Sequence, residues 1–240
     1  MTMHVRWAAV TDQGHVRSNN QDAYYAGDRL LVVADGMGGM AAGDVASRLA
    51  VDAMISLDVP IDDDDQMDAL HKALEVANGR IAEKVAEDSA LQGMGTTMTA
   101  VIFSGERAAL AHVGDSRAYL LRDGRLNQLT KDDTYVQMLV DQGLIRPEEA
   151  GSHPRRAVVT QALQGEPVSP SYVIVEPEPG DRWLLCSDGL TTVVAPEVIE
   201  SEMAAQPDPQ ACAQRLVDLA LEGGGPDNVT VIVADLESDE

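Results

Sequence analysis

Leu120-Leu121-Arg122-Asp123-Gly124-Arg125-Leu126 sets an Asp-Gly pair between two apolar flanks. Asp-Gly tolerates the positive φ angles of a type I′ turn, whose twist matches that of the strands it joins. The segment reads as a hairpin, and the chain as one that pairs its strands antiparallel. Outward from it, apolar alternation or short apolar runs predict strands at 5–11, 30–34, 97–103, 108–113, 117–121, 172–175, 183–186 and 229–234. Val45, Leu49 and Ala53, then Leu70, Leu74, Ala77, Ile81 and Val85, recur at three- and four-residue steps and predict two helices ahead of most of the β structure. A third amphipathic segment, Cys212, Leu216 and Leu219, stops at Gly223-Gly224-Gly225-Pro226, which cannot continue a helix. A polar stretch at about 131–160, with one short helix at 135–142, interrupts the strands and reads as a surface flap. Hairpin strands with helices grouped apart give an α+β fold, two packed antiparallel sheets with helices outside.

With 240 residues, 45% of them hydrophobic, the chain suffices for one core, so a single domain over 1–240 is expected. Lys and Arg number 17 against 40 Asp and Glu, a formal charge of −23 that repels nucleic-acid backbones and anionic lipid surfaces. Part of the acid sits in the run Asp62, Asp63, Asp64, Asp65 and in the tail Glu237, Asp239, Glu240, which read as solvated segments. Cys186 and Cys212 lack CxxC spacing, and neither is followed by the arginine of a cysteine phosphatase, so both read as buried small hydrophobes. A reducing, cytoplasmic setting is expected, and no stretch is apolar enough to span a bilayer. GxxxxGK[ST] and HExxH are absent, and the five histidines show no ligand spacing.

Three Asp-Gly pairs occur, and only Asp123-Gly124 is explained by its hairpin. Asp35-Gly36 follows Leu30-Leu31-Val32-Val33-Ala34, and Asp188-Gly189 follows Trp183-Leu184-Leu185-Cys186-Ser187. A carboxylate at the end of a buried strand is costly without a partner. Asp115, beside Gly114, and Asp227, beside Pro226, repeat the pattern with too few Lys and Arg nearby in sequence to neutralise all four. Hard divalent cations bind carboxylate and carbonyl oxygens and would serve, and glycine at position 36 lets the backbone itself approach an ion. The competing reading is a dinucleotide fingerprint in Gly36-Met37-Gly38-Gly39-Met40-Ala41. Against it stand a carboxylate where a pyrophosphate would lie and Pro60 in the segment that should form the second parallel strand.

Six motifs in order then resemble the metal-dependent Ser/Thr protein phosphatases of type 2C, in their bacterial branch. They are Thr11-Asp12-Gln13-Gly14-His15-Val16-Arg17-Ser18-Asn19-Asn20-Gln21-Asp22, Ala34-Asp35-Gly36-Met37-Gly38-Gly39, Gly93-Met94-Gly95-Thr96-Thr97, Val113-Gly114-Asp115-Ser116-Arg117, Leu185-Cys186-Ser187-Asp188-Gly189 and Gly225-Pro226-Asp227-Asn228-Val229-Thr230. They cover nearly the whole chain. The resemblance implies a four-layer α/β/β/α sandwich flanked by helix pairs, and hydrolysis of phosphoserine and phosphothreonine in opposition to bacterial Ser/Thr kinases. It implies two Mn²⁺ or Mg²⁺ ions, bridged by Asp35 and further held by the Gly36 carbonyl, Asp188 and Asp227. Asp115 with Asp188 would take a third, weaker ion. Asp22 and Asn228 would support the ligands from behind, and Arg17 would grip the substrate phosphate through bidentate bonds. Two ions about 4 Å apart lower the pKa of a bridging water, which attacks phosphorus in line with the departing oxygen.

Two positions depart from the family pattern. Met37 stands where animal relatives carry a histidine proposed to protonate the leaving group, which leaves water or His153 for that role. Gln21 stands where some relatives have Glu. In the flap, Arg146, His153, Arg155 and Arg156 form a basic island, read either as a solvated loop or as a docking surface for acidic phosphopeptides. A catalytically silent phosphoprotein-binding module on the same fold is the alternative to an enzyme.

Overall fold

Strand β3 (Leu30–Met37) is apolar without a break from Leu30 to Ala34 because both its faces are covered. Side chains alternate across a strand. Leu30, Val32 and Ala34 enter a core shared with helices, whereas Leu31 and Val33 enter a second core facing the other way. A computed structural model describes residues 3–38 and 42–238. Gly39, Met40 and Ala41 of the dinucleotide-type pattern, and Asp239 and Glu240 of the acidic tail, lie outside the described residues.

One sheet runs β2 (Asp22–Ala26), β3, β5 (Met98–Ser104), β6 (Arg107–Val113) and β9 (Ser171–Val175), with the short β4 (Gly95–Thr96) pairing the end of β3. The other runs β1 (Met3–Asp12), β11 (Val229–Ser238), β10 (Arg182–Cys186), β7 (Arg117–Arg122) and β8 (Arg125–Gln128). Strand pairing is antiparallel throughout the described residues. The expected hairpin joins β7 to β8, with Asp123 at φ 53° and Gly124 at φ 73°.

The inner faces of the two sheets meet in a core that includes Leu31, Val33, Val101 and Leu110 from one and Ala118, Trp183, Leu185 and Ile232 from the other. Phe103 meets Trp183 edge to face at 5.1 Å. Helices α1 (Ala42–Met54) and α2 (Gln66–Glu87) cover the outer face of the first sheet. Ala46, Ala50 and Ala53 give α1 a small-residue face that lies close on the strands. The outer face of the second sheet is covered by α5 (Asp188–Thr191), α6 (Pro196–Ala205) and α7 (Pro209–Glu222). Burying each large side chain in these layers contributes on the order of 1.5–3 kcal/mol, and the four-layer sandwich covers both faces of central strands such as β3 and β10.

The flap, about residues 131–160, holds α3 (Tyr135–Asp141) and α4 (Pro147–Ala150) between β8 and β9. Two local differences from the sequence reading matter. Asp35 and Gly36 lie inside β3 rather than beyond its end, because Gly36 and Met37 pair with Thr96 and Gly95 of β4. Asp188 opens a short helix beyond the strand, with Ser187 as its extended N-cap residue. No helix among the described residues is long and apolar enough to cross a membrane.

Candidate metal centre

Loops and strand ends from five parts of the chain meet at one end of the sandwich. Arg17, Gln21, Asp35, Gly36, Asp115, Asp188, Asp227 and Asn228 all line a single cavity of about 300 Å³. Asp35 is fixed through its backbone: its N–H donates to Thr97 Oγ1 at 2.9 Å, and its carbonyl accepts from Thr97 N–H at 2.9 Å and Thr96 Oγ1 at 2.9 Å. The peptide is thereby held while the carboxylate projects into the cleft. Gly36 is packed so tightly that a Cβ would run into the carbonyls of Gly43 and Gln21.

The loop bearing Arg17 packs on the loop bearing Asp227. Gly14 has φ +74° and leaves no room for a side chain against the Gly225 and Asp227 carbonyls, and His15 N–H donates to the Gly225 carbonyl at 2.8 Å. Asn228 ties the two loops together. Its Oδ1 accepts from Gln21 N–H at 2.9 Å, and its Nδ2 donates to the carbonyls of Gln13 at 2.8 Å and Asn19 at 2.9 Å. Arg17 sits on the rim, its side chain 52% exposed, with Nη2 donating to Asp227 Oδ2 at 2.6 Å.

Behind this cleft lies Asp22. Its Oδ2 accepts from Ser187 Oγ and Thr230 Oγ1, both at 2.7 Å, while its Oδ1 is buried and has no partner. Desolvation pushes the Asp22 carboxyl up to about 7, with the charges of Asp188 and Asp227 adding to the shift. Desolvation likewise lifts Asp115 to about 7 and Asp188 to about 6, reinforced by Asp188 at the first and Asp227 at the second. Asp35 is raised well above the usual carboxylate range, by burial first and then by Asp22, Asp188, Asp115 and Asp227. The Asp35 and Asp188 carboxyl groups lie within hydrogen-bonding reach of each other.

Burial leads all four shifts and the crowding of the carboxylates adds to it, with Arg117 opposing the rise at Asp115 and Arg17 and Arg117 opposing it at Asp188. An orphaned buried oxygen, two facing carboxyl groups and an all-oxygen donor set fit hard divalent cations such as Mn²⁺ or Mg²⁺. As they stand, no three described carboxylate, imidazole or thiolate groups are gathered around one point closely enough to ligate an ion. Binding an ion on Asp35, Asp188 and Asp227 together would need rotation of these side chains.

Other positions singled out in the sequence fall elsewhere. His153 is on the flap, its ring 6.1 Å from that of Tyr135 and its Nδ1 accepting from Arg155 N–H at 3.1 Å, and it does not line the cleft. Met37 does line it, with Gln164 Nε2 3.7 Å from its sulfur. Of the basic island, Arg146 is taken up by Glu149 at 3.3 Å and Arg155 lies over the Tyr135 ring at 5.4 Å. Arg156 lines a second groove, of about 310 Å³, which adjoins the cleft at Asp115, Asp188 and Asp227. Thr97, Ser187 and Thr230 fall inside the quoted motifs, but no local pattern gives their hydroxyls a role, since Thr in a strand and Ser after one are ordinary.

Comparison with known proteins places this geometry among relatives. The profile of the family described as Protein phosphatase 2C matches residues 12–218. The chain is 52% identical over 236 residues to the serine/threonine protein phosphatase PstP of Mycobacterium tuberculosis, a match covering 98% of this chain and 46% of that protein. It thus spans about half the length of that relative. It is 35% identical to the protein phosphatase PhpP of Streptococcus pneumoniae, with 96% of this chain and 97% of that protein covered. A crystal structure of the catalytic domain of PstP in complex with two manganese ions superposes with a TM-score of 0.93 at 50% identity, covering 99% of this chain and all of that one.

Proposed function

Because this chain belongs to the Protein phosphatase 2C family, we propose that it hydrolyses phosphoserine and phosphothreonine esters on proteins at a centre of two divalent cations. The observation that carries the reading is the meeting of Asp35, Asp115, Asp188 and Asp227 in one cavity, in front of the unpartnered Asp22 oxygen. In this reading Asp35, the Gly36 carbonyl, Asp188 and Asp227 hold two Mn²⁺ or Mg²⁺ ions, and Asp115 with Asp188 holds a weaker third. When bound, the ions supply charge neutralisation for the phosphoryl oxygens and acidify the attacking water.

The chain's own groups then orient the ester. Arg17 uses Nη2 on Asp227, so its remaining N–H donors are left to engage a phosphate on the same side of the cleft. Asn228 keeps the Arg17 loop in register with Asp227 through its three bonds. Burial lifts the Asp22 carboxyl to about 7, and divalent cations in the cleft would favour its ionised form. The polypeptide flanking the phosphorylated residue runs along the groove beside the flap, where Arg156 meets acidic neighbours. The chain acts as one catalytic domain in the cytoplasm, with phosphoproteins, Ser/Thr kinases among them, as partners.

The test is hydrolysis of p-nitrophenyl phosphate and of a phosphothreonine peptide with Mn²⁺, with and without chelator. Activity with Mn²⁺ that the chelator abolishes, and that Asp35→Ala lacks, is expected. A rate indifferent to chelator would overturn the reading.

A further inference from the structure

All four polar groups of Asp133 are used, and they join three separate segments. Its N–H donates to the Gly114 carbonyl at 2.7 Å, and its Oδ2 accepts from Gly114 N–H at 3.0 Å. Its Oδ1 accepts from Gln161 Nε2 at 3.1 Å, and its carbonyl accepts from Thr160 N–H at 2.7 Å. Gly114 immediately precedes Asp115 in the cleft. Residues 133 and 160–161 are the two arms of the flap, paired further out through Thr134 with Val159 and through Tyr135 N–H to the Val158 carbonyl at 2.8 Å.

The rest of the flap is self-contained. Among the described residues, the hydrogen bonds and ion pairs of residues 136–157 all stay within residues 131–158. The flap carries one wall of the groove beside the cleft, including Val136, Gln137, Arg156 and Ala157. That wall is therefore held from its base, where both arms and the cleft turn converge on one carboxylate. An acceptor with two oxygens suits the place, because it faces donors from two directions.

We propose that Asp133 is a positioning residue that fixes the flap to the Gly114–Asp115 turn and so sets the groove in which a phosphorylated polypeptide lies. The proposal rests on the phosphatase reading for its kinetic consequence. A phosphopeptide depends on the clasp, whereas p-nitrophenyl phosphate, which occupies the cleft without reaching along the groove, does not.

The experiment exchanges the polarity of the clasp. Gln161→Glu sets two carboxylates against each other while still accepting from Ser169 N–H, a bond of 3.0 Å in the native chain. Asp133→Asn turns an amide N–H₂ toward the Gln161 donor. The double variant restores one donor and one acceptor on that contact in reverse and leaves an oxygen for Gly114. Each single variant should lose about tenfold in kcat/KM on a phosphothreonine peptide, less than the roughly hundredfold that a 1 Å misplacement can cost, with p-nitrophenyl phosphate hydrolysis held within about threefold. The double variant should recover most of the loss. Hydrogen exchange of residues 135–158 should quicken in the single variants, with β5 and β6 unchanged, and return in the double. Equal losses on both substrates, no loss, a double variant no better than the worse single, or exchange that rises uniformly would overturn the proposal. If the native protein hydrolyses neither substrate the phosphatase reading fails, and the exchange pattern alone still decides the clasp.

Discussion

Replacing Asn228 by alanine removes three hydrogen bonds that join the start of β11 to the loop carrying Arg17. The residue is 5% exposed, and the groups its side chain serves are Gln21 N–H and the Gln13 and Asn19 carbonyls. At a net contribution of about 1 kcal/mol per bond, Asn228→Ala should cost about 3 kcal/mol. The loop is partly exposed, so water can re-enter and satisfy the freed backbone groups, which keeps the cost from rising to the full desolvation penalty. For a domain of this size about 3 kcal/mol lowers the melting temperature by roughly 6–12 °C. Asn228→Asp retains the acceptor for Gln21 but loses both donors and adds charge beside Asp227, so it should cost at least as much as two of the bonds. The assay is thermal and urea unfolding of chelated protein, with KM for a phosphopeptide followed in parallel, since Arg17 loses its anchored loop. A loss below about 1 kcal/mol, the worth of a single bond, together with an unchanged KM, would refute the assignment of Asn228 as the tie between these loops.

The acid cluster gives a pH dependence with a definite sign. Asp22 and Asp115 near 7 and Asp188 near 6 lie above the ordinary aspartate value of 3.8, so the folded chain binds these protons more tightly than the unfolded one. Their stabilising share is present below about pH 4 and is lost as pH rises through 6 to 7. The melting-temperature gap between Mn²⁺-saturated and chelated protein should therefore widen from pH 5 to 7.5, and a constant gap would contradict the shifts. Arg17→Ala breaks an exposed pair worth at most about 1 kcal/mol, so it should raise KM for phosphopeptides while unfolding midpoints barely move; a native-like KM would remove Arg17 from phosphate binding. Arg155→Ala with Arg156→Ala should weaken phosphoprotein turnover and leave p-nitrophenyl phosphate unaffected, and unchanged phosphoprotein kinetics would dismiss the docking role.

What the sequence reveals differs from residue to residue for physical reasons. Asp35 and Asp188 stand out because each follows an apolar run that has to be buried, and a charge at such a place demands an explanation. The two-sheet architecture is legible from the Asp123-Gly124 turn and from strands such as β3 and β10, which are apolar on both faces because they lie between layers. Strand β2 is not legible, since it is an edge strand with Tyr24 38% exposed and only Ala23, Tyr25 and Ala26 packed inward. Helix α6 escapes for a similar reason: of its ten residues Ile199 and Met203 alone are buried. Asp22 looked like an ordinary acid and was marked by motif resemblance; its isolation behind the cleft depends on Ser187 and Thr230, more than 160 residues away in sequence. The Asp133 clasp is likewise a product of contacts from positions 114 and 160–161 that no local pattern announces.

The central claim is that these aspartates together hold a pair of cations, and counting the cations tests it. Mn²⁺ titrated calorimetrically into chelated protein should bind tightly at two ions per chain, and Asp35→Asn, which removes the shared ligand, should abolish tight binding of both. Absence of tight Mn²⁺ binding to the native chain, or two-ion binding undiminished in Asp35→Asn, would contradict the account.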